Sequence, residues 1–87
     1  MEYREYLKIP NNLKACRKAR GLTQQDVAKL LGLKSTSRIS RWEVGECFPS
    51  VQNMLVLARV YHVTCDDLFW NLRVALIDEV GNGEEEL

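Results

Sequence analysis

The chain has 87 residues, 46% of them hydrophobic and 28% charged, with a formal net charge of zero. That length holds one compact domain, and so ordinary a composition argues against wholesale disorder. No apolar run approaches the roughly twenty residues that a membrane-crossing helix needs, which excludes a membrane span. The stretch Met1-Glu2-Tyr3-Arg4-Glu5 carries acids where a secretory signal needs a basic, then apolar, segment, so a cytoplasmic location is expected.

The zero net charge conceals a strong asymmetry. Ten of the twelve basic residues but three of the twelve acidic ones lie at or before Trp42, so that part carries +7 and the remainder −7. A chain divided in this way lets one part approach phosphates while the other is repelled by them. Three widely spaced cysteines, Cys16, Cys47 and Cys65, and one histidine, His62, offer neither a C-x-x-C pair nor a zinc ligand set. No metal, disulfide framework or cofactor is therefore expected.

Residues 1–10 read as an N-terminal arm that ends in a break at Pro10-Asn11-Asn12, where an asparagine can cap a helix over 13–20. In that helix Leu13, Cys16 and Arg20 share a face at i, i+3, i+7 spacing, with Arg17 beside them, and Gly21 follows as a C-terminal stop. The second helix opens on Thr23, with Asp26 three residues on as a capping box and Leu22 placed to staple onto Val27. Val27, Ala28 and Leu31 form its inner stripe, and Gly32 ends it. A third helix is expected from near Ser35 or Thr36 to Gly45, with Ile39 and Trp42 inward. Pro49-Ser50 announces a fourth, in which Val51, Met54, Leu55, Ala58 and Tyr61 follow amphipathic spacing. A fifth repeats the second's opening, with Thr64 and Asp67 as the box and Val63 stapling to Leu68. Residues 71–80 are read as a helical extension, although the alternation of Leu72, Val74 and Leu76 also permits a strand. Gly81-Asn82-Gly83 then introduces an acidic, flexible tail over 81–87.

The run Gly21-Leu22-Thr23-Gln24-Gln25-Asp26-Val27-Ala28-Lys29-Leu30-Leu31-Gly32, followed by Ile39-Ser40-Arg41-Trp42-Glu43-Val44-Gly45, resembles the phage repressor/Cro-type helix-turn-helix, the lambda-repressor-like or XRE family. Phe48-Pro49-Ser50 and Val63-Thr64-Cys65-Asp66-Asp67-Leu68-Phe69 resemble the starts of that family's fourth and fifth helices. The resemblance implies an all-α, five-helix domain over 11–70. It also implies that double-stranded DNA is the partner, with the third helix entering a major groove about 12 Å wide. Carried over residue by residue, Thr36, Ser37 and Arg41 would touch base edges, and Arg38 a base or an adjacent phosphate. Gln24 and Lys34 would meet phosphates, and Arg17 would pair with Glu43 to hold the first helix against the third. This chain departs from the family in one spacing, since Gly32 to Ile39 is one residue longer than usual. Glu46, where relatives place polar or basic groups, would repel phosphate.

Nothing in the sequence assembles an active site, so the chain is not expected to be an enzyme. His62 is solitary, Cys47 lies beside an acid that disfavours its thiolate, and Asp66 and Asp67 suit a helix start. The implied activity is transcriptional regulation, in the first instance repression, by a homodimer on a palindromic operator. Trp70, Leu72, Val74, Leu76 and Ile77 exceed what one helix face needs and would either bury against a second subunit, the favoured reading, or cap the chain's own core, with Tyr3, Tyr6, Leu7 and Ile9 as further candidates for the dimer. The rival is a protein-interaction module of the same fold, an anti-repressor or antitoxin that binds a protein partner.

Overall fold

The computed structural model describes residues 8–84, with side chains described to residue 77. Six helices follow one another: α1 (Leu13–Ala19), α2 (Gln24–Leu31), α3 (Ser37–Val44), α4 (Val51–Tyr61), α5 (Cys65–Leu68) and α6 (Trp70–Glu84). No strand occurs among the described residues, which settles 71–80 as helix. The chain is all-α, as its sequence implied.

Local chemistry sets most of the boundaries. Thr23 accepts a hydrogen bond from the backbone N–H of Asp26, whose carboxylate accepts from the backbone N–H of Thr23, and Thr64 and Asp67 repeat this reciprocal pair at the start of α5. Leu22 and Val63 pack on the core beside the fully buried Val27 and Leu68, where the two staples were expected. The four residues Leu33–Thr36 absorb the extra residue between Gly32 and Ile39, so α3 begins at Ser37 and Thr36 becomes its N-cap.

Leu13, Val27, Ala28, Ile39, Trp42, Leu57, Ala58, Tyr61 and Leu68 build the core. Two inner faces differ from the spacing-based expectation. In α1 the buried pair is Leu13 and Arg17, while Arg20 is exposed, because the Arg17 guanidinium finds buried acceptors. In α4 the inner stripe is Met54, Leu57, Ala58 and Tyr61, leaving Val51 and Leu55 at 70% and 58% exposure. Both stripes obey helical spacing, and the choice between them lies in which turn meets Leu13 and Leu68.

The C-terminal part departs further. α5 is one turn long, and a single residue, Phe69, separates it from α6. The Phe69 ring meets Phe48, with centroids 5.6 Å apart, and Arg73 of α6 bridges to Asp66 of α5 at 2.9 Å. Gly81-Asn82-Gly83 does not stop α6, which continues to Glu84; the remainder of the expected tail lies outside the described residues. Among the described residues no helix is long and apolar enough to cross a membrane.

Two left-handed residues make opposite predictions. His62 caps α4 at φ 61, a conformation in which its Cβ is strained. Gly45 caps α3 at φ 85, and a Cβ there would lie 2.5 Å from the carbonyl oxygen of Ile9. His62→Gly should raise Tm by a few degrees, and Gly45→Ala should cost about 2 kcal/mol or more, both read by thermal unfolding.

The capping boxes predict a pH response. Hydrogen bonds from the Thr23 and Thr64 backbone N–H groups, then from their side chains, hold Asp26 and Asp67 below the ordinary aspartate value of 3.8. A carboxyl depressed on folding contributes stability above its unfolded pKa and loses it as pH falls through the folded one. Denaturant midpoints of the wild type should therefore fall with acidification below about pH 4, and those of Asp26→Asn/Asp67→Asn should fall less steeply.

Candidate nucleic-acid interface

α3 is held from one side. Ile39 and Trp42 are 1% and 5% exposed, and Ala28 of the adjoining α2, 4% exposed, belongs to the same buried core. Ser37, Arg38, Arg41 and Val44 are exposed on the remaining surface of α3.

A buried ionic network supports that arrangement. Arg17 Nε donates to Glu43 Oε2 at 2.6 Å, its Nη2 donates to Oε1 at 3.1 Å, and its Nη1 donates to the Leu22 carbonyl at 2.8 Å. Gln24 Nε2 donates to Glu43 Oε1 at 3.0 Å. One carboxylate thus gathers α1, the entry to α2 and α3, with only 8% and 4% of the Arg17 and Glu43 side chains exposed. Hydrogen bonding to Glu43 raises the Arg17 pKa against the opposing effect of burial, so the guanidinium keeps its charge. Burial first, then the Glu43 charge, pushes the neighbouring Tyr61 hydroxyl well above the usual tyrosine range and keeps it neutral.

The expected DNA-facing residues divide into two sets. Arg38, Arg41 and Lys34 are exposed cations at the surface of α3 and of the turn before it. An open hollow lined by Gly32, Leu33, Lys34, Ser35 and Arg38 lies on one side of Arg38, and another, reaching Arg41, Cys47, Phe48, Ser50 and Asn53, lies on the other. The second set is less open. Thr36 is half-buried at the N-cap, with no side-chain capping bond. The Ser37 hydroxyl lies 3.2 Å from that of Ser35, which also accepts from the Ser37 N–H. Gln24, expected at a phosphate, is turned inward onto Glu43, because a buried carboxylate with a free lone pair is the stronger acceptor for its amide.

Asn11 has a second role that sequence reasoning missed. An asparagine caps the first helix as expected: while Asn12 makes no side-chain cap, Asn11 Oδ1 accepts from the Leu13 N–H. Its amide also reaches the end of α3, 31 residues further on. An asparagine before a helix signals a cap; its second, distant use has no local signature. Glu46 lies 4.0 Å from Lys8, so the acid expected to oppose phosphate has a cation beside it.

The model of the family described as helix-turn-helix matches residues 13–68. This chain belongs to the helix-turn-helix family. The matched span runs from the first residue of α1 to the last of α5 and contains the whole core. Over 76 residues the chain is 28% identical to the HTH-type transcriptional activator BcrR of Enterococcus faecalis, an alignment covering 87% of this chain and 37% of that protein. The chain therefore spans little more than a third of that relative's length. No solved structure matches it.

The network yields a stability prediction. Glu43→Ala leaves the Arg17 guanidinium buried without its counter-charge and should cost about 3–5 kcal/mol, read from urea midpoints. Arg17→Met/Glu43→Leu removes both charges together and should cost markedly less than Glu43→Ala alone.

Proposed function

We propose that this chain binds duplex DNA in a sequence-specific manner and regulates transcription. α3 lies in the major groove, with Arg38 and Arg41 on base edges and Thr36 and Ser37 beside them. The observation that carries this is the two-sided character of α3. Ile39, Trp42 and Glu43 fix its inner side, while both arginines are exposed on its outer side. A bidentate arginine–guanine contact supplies about 1–3 kcal/mol of discrimination. Lys34 holds a phosphate beside the turn. Gln24, bonded to Glu43 through one amide hydrogen, keeps the other for a second phosphate. The relative named as an activator supports regulation as the role. Repression follows where the operator overlaps the polymerase site. We further take the protein to be cytoplasmic, without catalytic activity or cofactor.

The operator is palindromic and the protein a homodimer, because one small recognition helix reads too few bases to select a site alone. The second copy packs on α6, where Trp70, Val74, Leu76 and Ile77 remain 36–48% exposed. Sedimentation should show a dimer at micromolar concentration that Val74→Lys/Ile77→Lys converts to monomer. A wild-type monomer at that concentration would remove the dimer from the proposal.

Selection from a randomised duplex pool at low salt tests the function itself. Wild type should recover a two-fold symmetric motif, and Arg38→Ala/Arg41→Ala, still helical by circular dichroism, should lose selectivity. Absence of duplex binding by wild type would favour the protein-interaction module, with the exposed apolar side of α6 as its surface.

A further inference from the structure

The far end of α3 is closed by residues that lie outside the helix-turn-helix itself. An α-helix leaves its last carbonyls without partners in the helix. Here the N–H of Gly45 reaches the Trp42 carbonyl, and the N–H of Glu46 reaches that of Arg41. The segment before α1 adds further donors. Ile9 N–H donates to the Gly45 carbonyl at 2.8 Å. Asn11 Nδ2 donates to the Trp42 carbonyl at 3.2 Å and, more weakly, to that of Glu43 at 3.4 Å, while also holding the Ile9 carbonyl at 3.0 Å. The same side chain caps α1 through Oδ1. Its neighbour Asn12 donates from its backbone N–H to the Leu68 carbonyl at 2.8 Å, and from Nδ2 to that of Asp67 at 3.3 Å. Two consecutive asparagines therefore join the ends of α3 and α5 to the start of α1.

We propose that Asn11 is a positioning residue for DNA recognition: its carboxamide sets the tilt of α3 from the end opposite the turn, through the backbone of the same last turn whose Glu43 side chain is held by Arg17. The inference rests on the DNA-binding function proposed above. Arg41 lies one residue before Trp42, whose carbonyl Asn11 holds. A small rotation about the end of α3 therefore displaces Arg41 directly. Base contacts need hydrogen-bond geometry within a few tenths of an ångström, whereas phosphate attraction tolerates such a shift. Freeing this end should thus weaken reading of the operator more than attraction to DNA in general.

Asn11→Asp and Asn11→Ser separate the two uses of the side chain. Each keeps an oxygen able to cap α1 and removes the amide donors directed at α3. Binding of the full chain is measured by anisotropy on the operator selected by wild type and on a scrambled duplex, with Tm recorded for each variant. Operator affinity should fall about tenfold in both variants, with scrambled-duplex affinity within about twofold of wild type. Unchanged operator affinity in Asn11→Ser would overturn the inference. So would an equal loss on both duplexes or outright unfolding of both variants, since Asn11 would then act only in stability. If wild type itself selects no operator, the DNA-binding function fails and the inference with it, an outcome visible before any variant is made.

Discussion

A guanidinium taken out of water requires a carboxylate in a matching place, and the domain is arranged around meeting that requirement. Arg17 leaves α1 on its buried side, Glu43 reaches it from α3, and Leu22 and Gln24 close the remaining positions from the entry to α2. Apolar packing between Ala28, Ile39 and Trp42 tolerates some rotation of one helix on another. A forked pair of hydrogen bonds tolerates much less, because Nε and Nη2 must face both carboxylate oxygens at once. The network thus adds geometric definition to a core whose cohesion comes from Leu13, Val27, Leu57 and Leu68. The Arg17 guanidinium also keeps its charge, since its hydrogen bond to Glu43 raises its pKa against the effect of burial.

What the sequence revealed and what it concealed follow from the range of the interactions involved. Both capping boxes and the stops at Gly32 and Gly45 act over a few residues, and they appear in the structure where Thr23, Thr64 and their neighbours indicated. The outward placement of Arg38 and Arg41 was legible for the same reason, because Ile39 and Trp42 phase α3 by themselves. The inner face of α4 was legible only in part. Met54, Ala58 and Tyr61 lie inward as expected, but Val51 and Leu55 fit an amphipathic stripe as well as Leu57 does, and only contact with distant helices decides between them. The continuation of α6 through Gly81 and Gly83 was likewise hidden, since glycine weakens a helix by only about 1 kcal/mol and does not oblige it to stop.

The site shows the same division. That Arg17 and Glu43 meet could be carried over from a family resemblance, but the third donor could not, and it changes what Gln24 has free to offer. Thr36 and Ser37 looked like unengaged hydroxyls at the start of a recognition helix. The longer turn places Thr36 at the cap and the Ser37 hydroxyl beside that of Ser35. The arginines are therefore the groups on α3 with the most freedom to meet a partner.

The joint at Phe69 bears on how the two ends of the molecule respond to their surroundings. One residue connects α5 to α6, and the contacts at this joint include, among the described residues, the Phe48–Phe69 ring pair and the exposed Asp66–Arg73 bridge. An exposed bridge contributes little and fades as ions are added, whereas contact between two aromatic rings does not. The course of α6 away from the domain is therefore governed by apolar packing. Exposed arginines on α3 are governed by long-range charge, so added salt dims one end of the molecule while leaving the other as it was.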